Sequence, residues 1–168
     1  MNPPTTIKYL IIVLLLLGGC STTRHDLAVQ PDNSEEQMNN LAIYAMSLYD
    51  TPYRPGGTSR ASGFDCSGFV QYVYQNSVGL PLPRTSAEMS HLGTALNADQ
   101  LKPGDLVFFN TLHNPFSHVG IYVGENRFVH APSSGRAIMM SNMNEKYWHV
   151  RFDGARRIEL KQHLVNNQ

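Results

Sequence analysis

The sequence predicts an α+β domain in which helices come first and an antiparallel sheet follows. Three helix signals lie between residues 34 and 93, whereas the clear strand-like runs all come after residue 103. Helices and strands that are segregated along a chain pack as helices on one face of an antiparallel sheet. The chain has 168 residues, of which 42% are hydrophobic, and this is enough for one domain with its own apolar core. We place that domain at residues 37–161.

The first helix is predicted over residues 36–50. Four apolar residues recur there at the spacing of one helix face, namely Met38, Leu41, Ala45 and Leu48. Ser34 and Gln37 have the spacing of a capping box, and Pro52 prevents the helix from continuing.

The second helix is predicted to begin at Cys66 and to end near Gly79. Asp65 is a favoured N-cap residue. The apolar residues that follow recur at helical spacing, namely Phe69, Val70, Val73 and Tyr74. Cys66 therefore lies in the first turn, where the positive end of the helix dipole favours a thiolate.

A third, short helix and a run of strands complete the domain. Thr85 and Glu88 form a second capping box, and Gly93 closes the helix that it starts. The strand-like runs are rich in β-branched and aromatic residues and are separated by turn residues. They are DLVFF (105–109), SHVGIYVG (117–124), NRFVHA (126–131), RAIMMS (136–141) and GARRIEL (154–160).

The N-terminus has the pattern of an export signal. Lys8 precedes an apolar run of nine residues, 9–17, which is far shorter than the roughly 20 residues of a spanning helix. The following LGGC resembles the lipobox of bacterial lipoproteins, which implies that residues 1–19 are cleaved off and that Cys20 carries lipid. By the same resemblance, Ser21 implies sorting to the outer membrane. A secreted protein without lipid is the alternative.

The segments that flank the domain are polar. Residues 20–36 lack apolar periodicity and are predicted to form a flexible tether, and residues 162–168 form a tail. The 13 basic and 13 acidic side chains balance, so no overall charge attracts nucleic acid. We expect no nucleic-acid partner.

Cys66 has no cysteine left to pair with if Cys20 is lipidated, because the chain has only two cysteines. A lone thiol in an exported protein is either an inert core residue or a reactive group. Zinc binding is disfavoured because no second cysteine lies nearby to form a paired-ligand motif. We expect no metal and no cofactor.

Two of the seven histidines lie in consecutive strand-like runs. If residues 124–126 form a three-residue loop, Gly120 lies opposite His130, and His118 becomes the diagonal neighbour of His130 on the same sheet face. A two-residue loop places the two histidines on opposite faces instead.

Cys66, His118 and His130 can supply a nucleophile, a base and a group that orients the base. The residues alone leave two interpretations open. One is a Cys-His-His hydrolase, and the other is an inert core thiol with two structural histidines. Likewise, Trp148 either edges a substrate groove or packs in the core.

Six motifs in order resemble those of the NlpC-type cysteine peptidases of bacterial cell walls. They are YRPGG (53–57), DCSGFVQ (65–71), LPR (82–84), PGDLVFF (103–109), HVGIYVG (118–124) and FVHA (128–131). The resemblance implies a papain-like fold with permuted connectivity. It further implies that Cys66 is the nucleophile, that His118 is the general base and that His130 orients His118.

The resemblance also implies a substrate or oxyanion site near the nucleophile. We expect Tyr53, Asp65 and Ser67 to contribute to this site. For Tyr53 the alternative is an aromatic side chain that packs its loop onto the domain.

Within that family the resemblance is strongest to the Spr-type lipoprotein murein endopeptidases, from the lipobox, the tether and the stretch MNEKYWHVRFDGARRI (143–158). This implies an enzyme that is lipid-anchored to the outer membrane, faces the periplasm and hydrolyses the stem peptides of peptidoglycan. We expect it to be a monomer. The expected bond is the D-alanyl-diaminopimelate cross-link, and the alternative is the D-glutamyl-diaminopimelate bond. Two other classes remain open, an acyltransferase and a non-catalytic wall-binding lipoprotein.

Overall fold

A computed structural model describes residues 33–132 and 136–160 of the chain. The predicted signal segment 1–19, the lipidation site Cys20 and the tail 162–168 lie outside the described residues. The helices are α1 (Asn33–Met46), α2 (Cys66–Val78), α3 (Ser86–Met89) and α4 (Lys146–His149), with a 3-10 turn at Ala98–Gln100. The strands are β1 (Thr58–Ser59), β2 (Gly63–Phe64), β3 (Thr94–Leu96), β4 (Leu106–Phe109), β5 (His118–Gly124), β6 (Arg127–His130), β7 (Met139–Asn142) and β8 (Phe152–Arg157).

Six strands form one antiparallel sheet in the order β3-β8-β4-β5-β6-β7. Helices α1 and α2 pack on each other and on β5. The core between the helices and the sheet is fully buried and includes Leu41, Phe69, Val73, Val119, Ile121 and Val129. Helices on an antiparallel sheet confirm the predicted α+β class.

The second face of the sheet also carries a core, which the sequence did not predict. Its members include Val107, Phe109, Phe128, Trp148 and Ala155. Trp148 comes from α4, a helix of four residues that is too short for its hydrophobic spacing to be recognised. The sheet is therefore covered on both faces, and not on one.

Helix α1 is shifted toward the N-terminus relative to its predicted range of 36–50. It already includes residues 33–36, so Ser34 lies inside the helix instead of capping it, and these four residues of the predicted tether are helical. After Met46 the chain tightens into turns, and Asp50 adopts a positive φ of 63°. Leu48 is still fully buried, as its position in the apolar pattern predicts.

Three short strands were also missed. Strands β1 and β2 form a two-stranded ribbon within the turn-rich loop before α2, and β3 pairs with β8 at the edge of the main sheet. Strands of two or three residues are too short to show the alternation of apolar and polar residues by which a strand is predicted. Within the described part of the chain, no helix is both long and apolar enough to span a bilayer.

Candidate active site

Cys66 is the first residue of α2, as predicted. Asp65 has an extended backbone (φ −89°, ψ 178°), and its carboxylate accepts a hydrogen bond from the Gly68 backbone N–H at 2.7 Å. This N-cap forms because the first N–H groups of a helix have no partner within the helix. At the other end Gly79 adopts the left-handed conformation (φ 70°). The thiol therefore lies at a helix start that is held by a local interaction.

A guanidinium group holds the residues around the thiol. Arg84 forms a salt bridge to Asp65 with an Nη2–Oδ2 distance of 2.5 Å, and its Nη1 donates to Asp65 Oδ1 at 3.1 Å and to Ser67 Oγ at 2.9 Å. The Gly56 backbone N–H also donates to Asp65 Oδ2, at 3.0 Å. Asp65 and Ser67 thus have partners within the protein, and a role for them toward substrate stays a prediction.

No role for Arg84 follows from the sequence, although the LPR motif contains it. Arg84 lies nineteen positions after Asp65, on the loop between α2 and α3. Only the path of that loop brings the two side chains together.

The hairpin between β5 and β6 brings His118 and His130 together on one sheet face, but its loop is shorter than the one expected for that pairing. The loop has two residues, Glu125 and Asn126, both with positive φ, whereas the pairing on one face was expected for a three-residue loop. The strand register shifts between Tyr122 and Gly124, and this bulge supplies the extra residue that returns both histidines to one face.

The two imidazole rings form the centre of a hydrogen-bonded chain. His118 Nε2 lies 2.8 Å from His130 Nδ1, and His130 Nε2 lies 3.0 Å from the Ser141 hydroxyl oxygen. Trp148 packs against both rings, with centroid distances of 5.7 Å to His118 and 4.8 Å to His130. Trp148 is thus a packing residue of the site. Ser141 was missed, because only the register between β6 and β7 places it beside His130.

Burial keeps both histidines neutral near pH 7. His118 is 4% exposed and His130 is fully buried. Burial lowers the pKa of His118 to about 4. Burial also lowers the pKa of His130 well below its usual value, and the positive charges of protonated His118 and of Arg136 add to this effect.

The thiol of Cys66 lies against the start of β5. Burial raises its pKa, and the Asp65 carboxylate raises it further, while the backbone N–H groups of Val119, Ser67 and Cys66 lower it. Val119 directly follows His118, so the sulfur faces the strand residue next to the imidazole. The sequence predicted a favoured thiolate at the helix start. In the structure burial outweighs that effect, and the resting pair is a neutral thiol with a neutral imidazole.

Tyr53 lies near the nucleophile. Its backbone N–H donates to the Arg136 carbonyl at 2.8 Å. Burial raises the pKa of its phenol, and the charges of Cys66 and Asp65 raise it further. Tyr53 also packs against the main core, so the residue is both near the thiol and part of the packing of its loop.

The motifs around this site are those of a known family. Residues 50–157 match the sequence profile of the NlpC/P60 family. The chain belongs to the NlpC/P60 family. The match covers α2, all six strands of the main sheet and the histidine pair, and it confirms the resemblance found from the motifs.

Known NlpC/P60 proteins support this assignment in sequence and in structure. Murein DD-endopeptidase MepH of Escherichia coli K12 is 46% identical over 144 residues, which cover 84% of this chain and 51% of MepH. The E. coli K12 protein named murein DD-endopeptidase MepS/murein LD-carboxypeptidase is 44% identical over 170 residues, covering 88% of this chain and 89% of that protein.

An NlpC/P60 family protein from Bacillus cereus has a solved structure that matches this fold. The TM-score is 0.65 at 33% identity, covering 71% of this chain and 39% of that chain. The match confirms the expected fold class. The chain spans about half the length of MepH and less than half of the B. cereus protein.

Proposed function

We propose that this chain is a murein endopeptidase that hydrolyses stem-peptide bonds of peptidoglycan by a thiol mechanism. Cys66 is the nucleophile, His118 the general base and His130 the group that orients His118. The observation that carries this proposal is the placement of the thiol at the start of α2 against the backbone of Val119. Val119 directly follows His118, which is buried and hydrogen-bonded to His130.

The neutral resting pair determines how the reaction starts. His118 uses Nε2 toward His130, so Nδ1 is the ring nitrogen that remains for the thiol. As the Cys66 sulfur attacks a peptide carbonyl, its proton passes to His118 Nδ1, because a neutral imidazole has a free lone pair there. Backbone N–H groups of the first turn of α2 stabilise the oxyanion.

The second half of the reaction returns the enzyme to its starting state. His118, now an imidazolium, gives its proton to the departing amine, and a thioester remains on Cys66. His118 then takes a proton from water as the water attacks the thioester carbonyl. The second product leaves as a carboxylic acid, and the thiol is restored.

For the scissile bond we propose the cross-link between D-alanine and diaminopimelate. MepH and MepS, which are 46% and 44% identical to this chain, are both named murein DD-endopeptidases. The name of MepS also includes murein LD-carboxypeptidase, so release of a terminal D-alanine is a second activity to test.

To test this, the full chain in detergent is incubated with defined dimeric and monomeric muropeptides, and the products are identified by mass spectrometry. Conversion of dimers to monomers supports cross-link cleavage. Stems cut between glutamate and diaminopimelate would instead support the alternative bond, and loss of one alanine would support the carboxypeptidase activity. Cys66→Ala and His118→Ala should abolish turnover, whereas His91→Ala, at an exposed histidine outside the site, should retain it. Equal product from Cys66→Ala would refute the thiol mechanism.

We further propose that Cys20 carries the lipid and that the protein faces the periplasm from the outer membrane. The support is the LGGC stretch and Ser21. Mass spectrometry of the membrane-extracted protein should show acyl chains on Cys20, and the protein should be found in the outer-membrane fraction. Cys20→Ala should leave the membrane fraction, and an unmodified Cys20 in the wild-type protein would contradict the anchor.

A further inference from the structure

Ser141 is the last member of the hydrogen-bonded chain that begins at His118. It lies on β7 opposite Phe128, whereas His130 pairs with Met139, so Ser141 and His130 are diagonal neighbours on one sheet face. The Ser141 hydroxyl oxygen is 3.0 Å from His130 Nε2. Among the described residues, this hydroxyl is the one hydrogen-bond partner of that nitrogen.

The buried histidine pair has two arrangements of its protons. In the first, His130 carries its proton on Nε2 and donates it to Ser141, and His130 Nδ1 accepts from His118 Nε2. His118 Nδ1 is then free to act as a base. In the second, His130 carries its proton on Nδ1 and donates it to His118 Nε2. The proton of His118 is then on Nδ1, which can no longer accept one.

We propose that Ser141 is a positioning residue that accepts a hydrogen bond from His130 Nε2 and thereby keeps the basic nitrogen of His118 free. This rests on the proposed function, in which His118 is the general base. A serine hydroxyl has two lone pairs and can accept in this position. The first arrangement also suits the next step, because the imidazolium of His118 must donate from Nε2 to a lone pair on His130 Nδ1.

Loss of the hydroxyl should favour the inactive arrangement. With alanine at position 141, a proton on His130 Nε2 would be buried without an acceptor, and such groups are strongly disfavoured. The proton then moves to Nδ1, which still has a partner. We expect Ser141→Ala to lower kcat by about tenfold to a hundredfold with KM nearly unchanged, because Ser141 is not proposed to touch the substrate.

The decisive experiment determines the histidine tautomers by ¹⁵N NMR, together with kcat and KM on dimeric muropeptides. It uses the full chain in detergent as wild type, Ser141→Ala and Ser141→Thr. In the wild-type protein His130 should carry its proton on Nε2, and in Ser141→Ala it should carry its proton on Nδ1. Ser141→Thr should restore both the wild-type tautomer and the wild-type kcat. Met140→Ala is the matched control, since Met140 lies on the same strand but packs against the other core. It should lose stability while keeping the tautomer and kcat.

Several results would overturn the proposal. One is a wild-type His130 with its proton on Nδ1, a measurement that needs no variant to fold. Others are a Ser141→Ala protein with the wild-type tautomer and kcat, or a Ser141→Thr protein as impaired as Ser141→Ala. A wild type that is no more active than Cys66→Ala would instead refute the proposed function, and the tautomers would still report on Ser141.

Discussion

Adding one methyl group at Gly68 should displace the nucleophile. A Cβ atom built on Gly68 would lie 2.1 Å from the Gly57 carbonyl oxygen and 3.0 Å from Asp65 Oδ1. The Gly57 carbonyl cannot simply turn away, because it accepts a hydrogen bond from the Asp65 backbone N–H at 3.1 Å. The two backbones must therefore separate by about 1 Å to reach an ordinary contact distance.

That separation has two measurable consequences. Overpacking of this kind lowers the free energy of unfolding by about 1–3 kcal/mol. A shift of about 1 Å at Cys66, two residues from the substitution, lowers kcat/KM by about a hundredfold. We expect Gly68→Ala to show both losses, with the loss of activity exceeding what the unfolded fraction explains.

Denaturant unfolding and turnover of dimeric muropeptides measure the two effects. The chain has one tryptophan, and because Trp148 packs on both histidines its fluorescence reports unfolding at the site. Gly79→Ala is the matched control at the other end of α2, where no atom lies within 4 Å of the added Cβ. Its left-handed backbone makes alanine unfavourable by about 1 kcal/mol, but activity should persist. A Gly68→Ala protein with wild-type stability and kcat/KM would refute the reasoning.

Two further predictions concern charge. Because the pKa of His118 is about 4 in the folded protein and about 6.5 when unfolded, the unfolded state binds the proton first as the pH falls. The full contribution of His118 to the free energy of unfolding is present above pH 6.5, and about 3 kcal/mol of it is lost by pH 4. The denaturant concentration at the midpoint of unfolding should therefore fall as the pH is lowered across this range. A midpoint that does not change with pH would contradict a buried neutral imidazole. Arg84→Gln leaves the Asp65 carboxylate uncompensated beside the sulfur, so the pH midpoint for alkylation of Cys66 should rise. The double variant Asp65→Asn/Arg84→Gln should lower it again, and identical midpoints in all three proteins would exclude this electrostatic coupling.

Local features of the site could be predicted from the sequence because their partners are close along the chain. The Asp65 cap joins residues three positions apart, and the Thr85–Glu88 capping box does the same. The C-terminal end of α1 was wrong because Leu48 continues the apolar pattern, although residues 47–50 form turns. A hydrophobic pattern indicates which side chains are buried, but it does not distinguish a helix from the turns that follow it.

The arrangement of the histidine pair could be predicted only in part. The period of two along a strand allows a common face, but the sequence left that face open because it depended on the length of the hairpin loop. The bulge at the end of β5 restored the alternation that a two-residue loop would have broken. Strand register is set by the hydrophobic face that must be buried, so it constrains the pairing more strongly than the loop does.

The sequence by itself determined the family, the α+β class and the capped helix that carries Cys66, and it identified His118 and His130 as candidate site residues. Only the tertiary structure decided that Arg84 holds Asp65 and that Ser141 contacts His130, because loop paths and strand register join residues 19 and 11 positions apart. It also decided the protonation of the site. A helix start favours a thiolate wherever it lies, but the desolvation that keeps both thiol and imidazole neutral depends on everything packed around them.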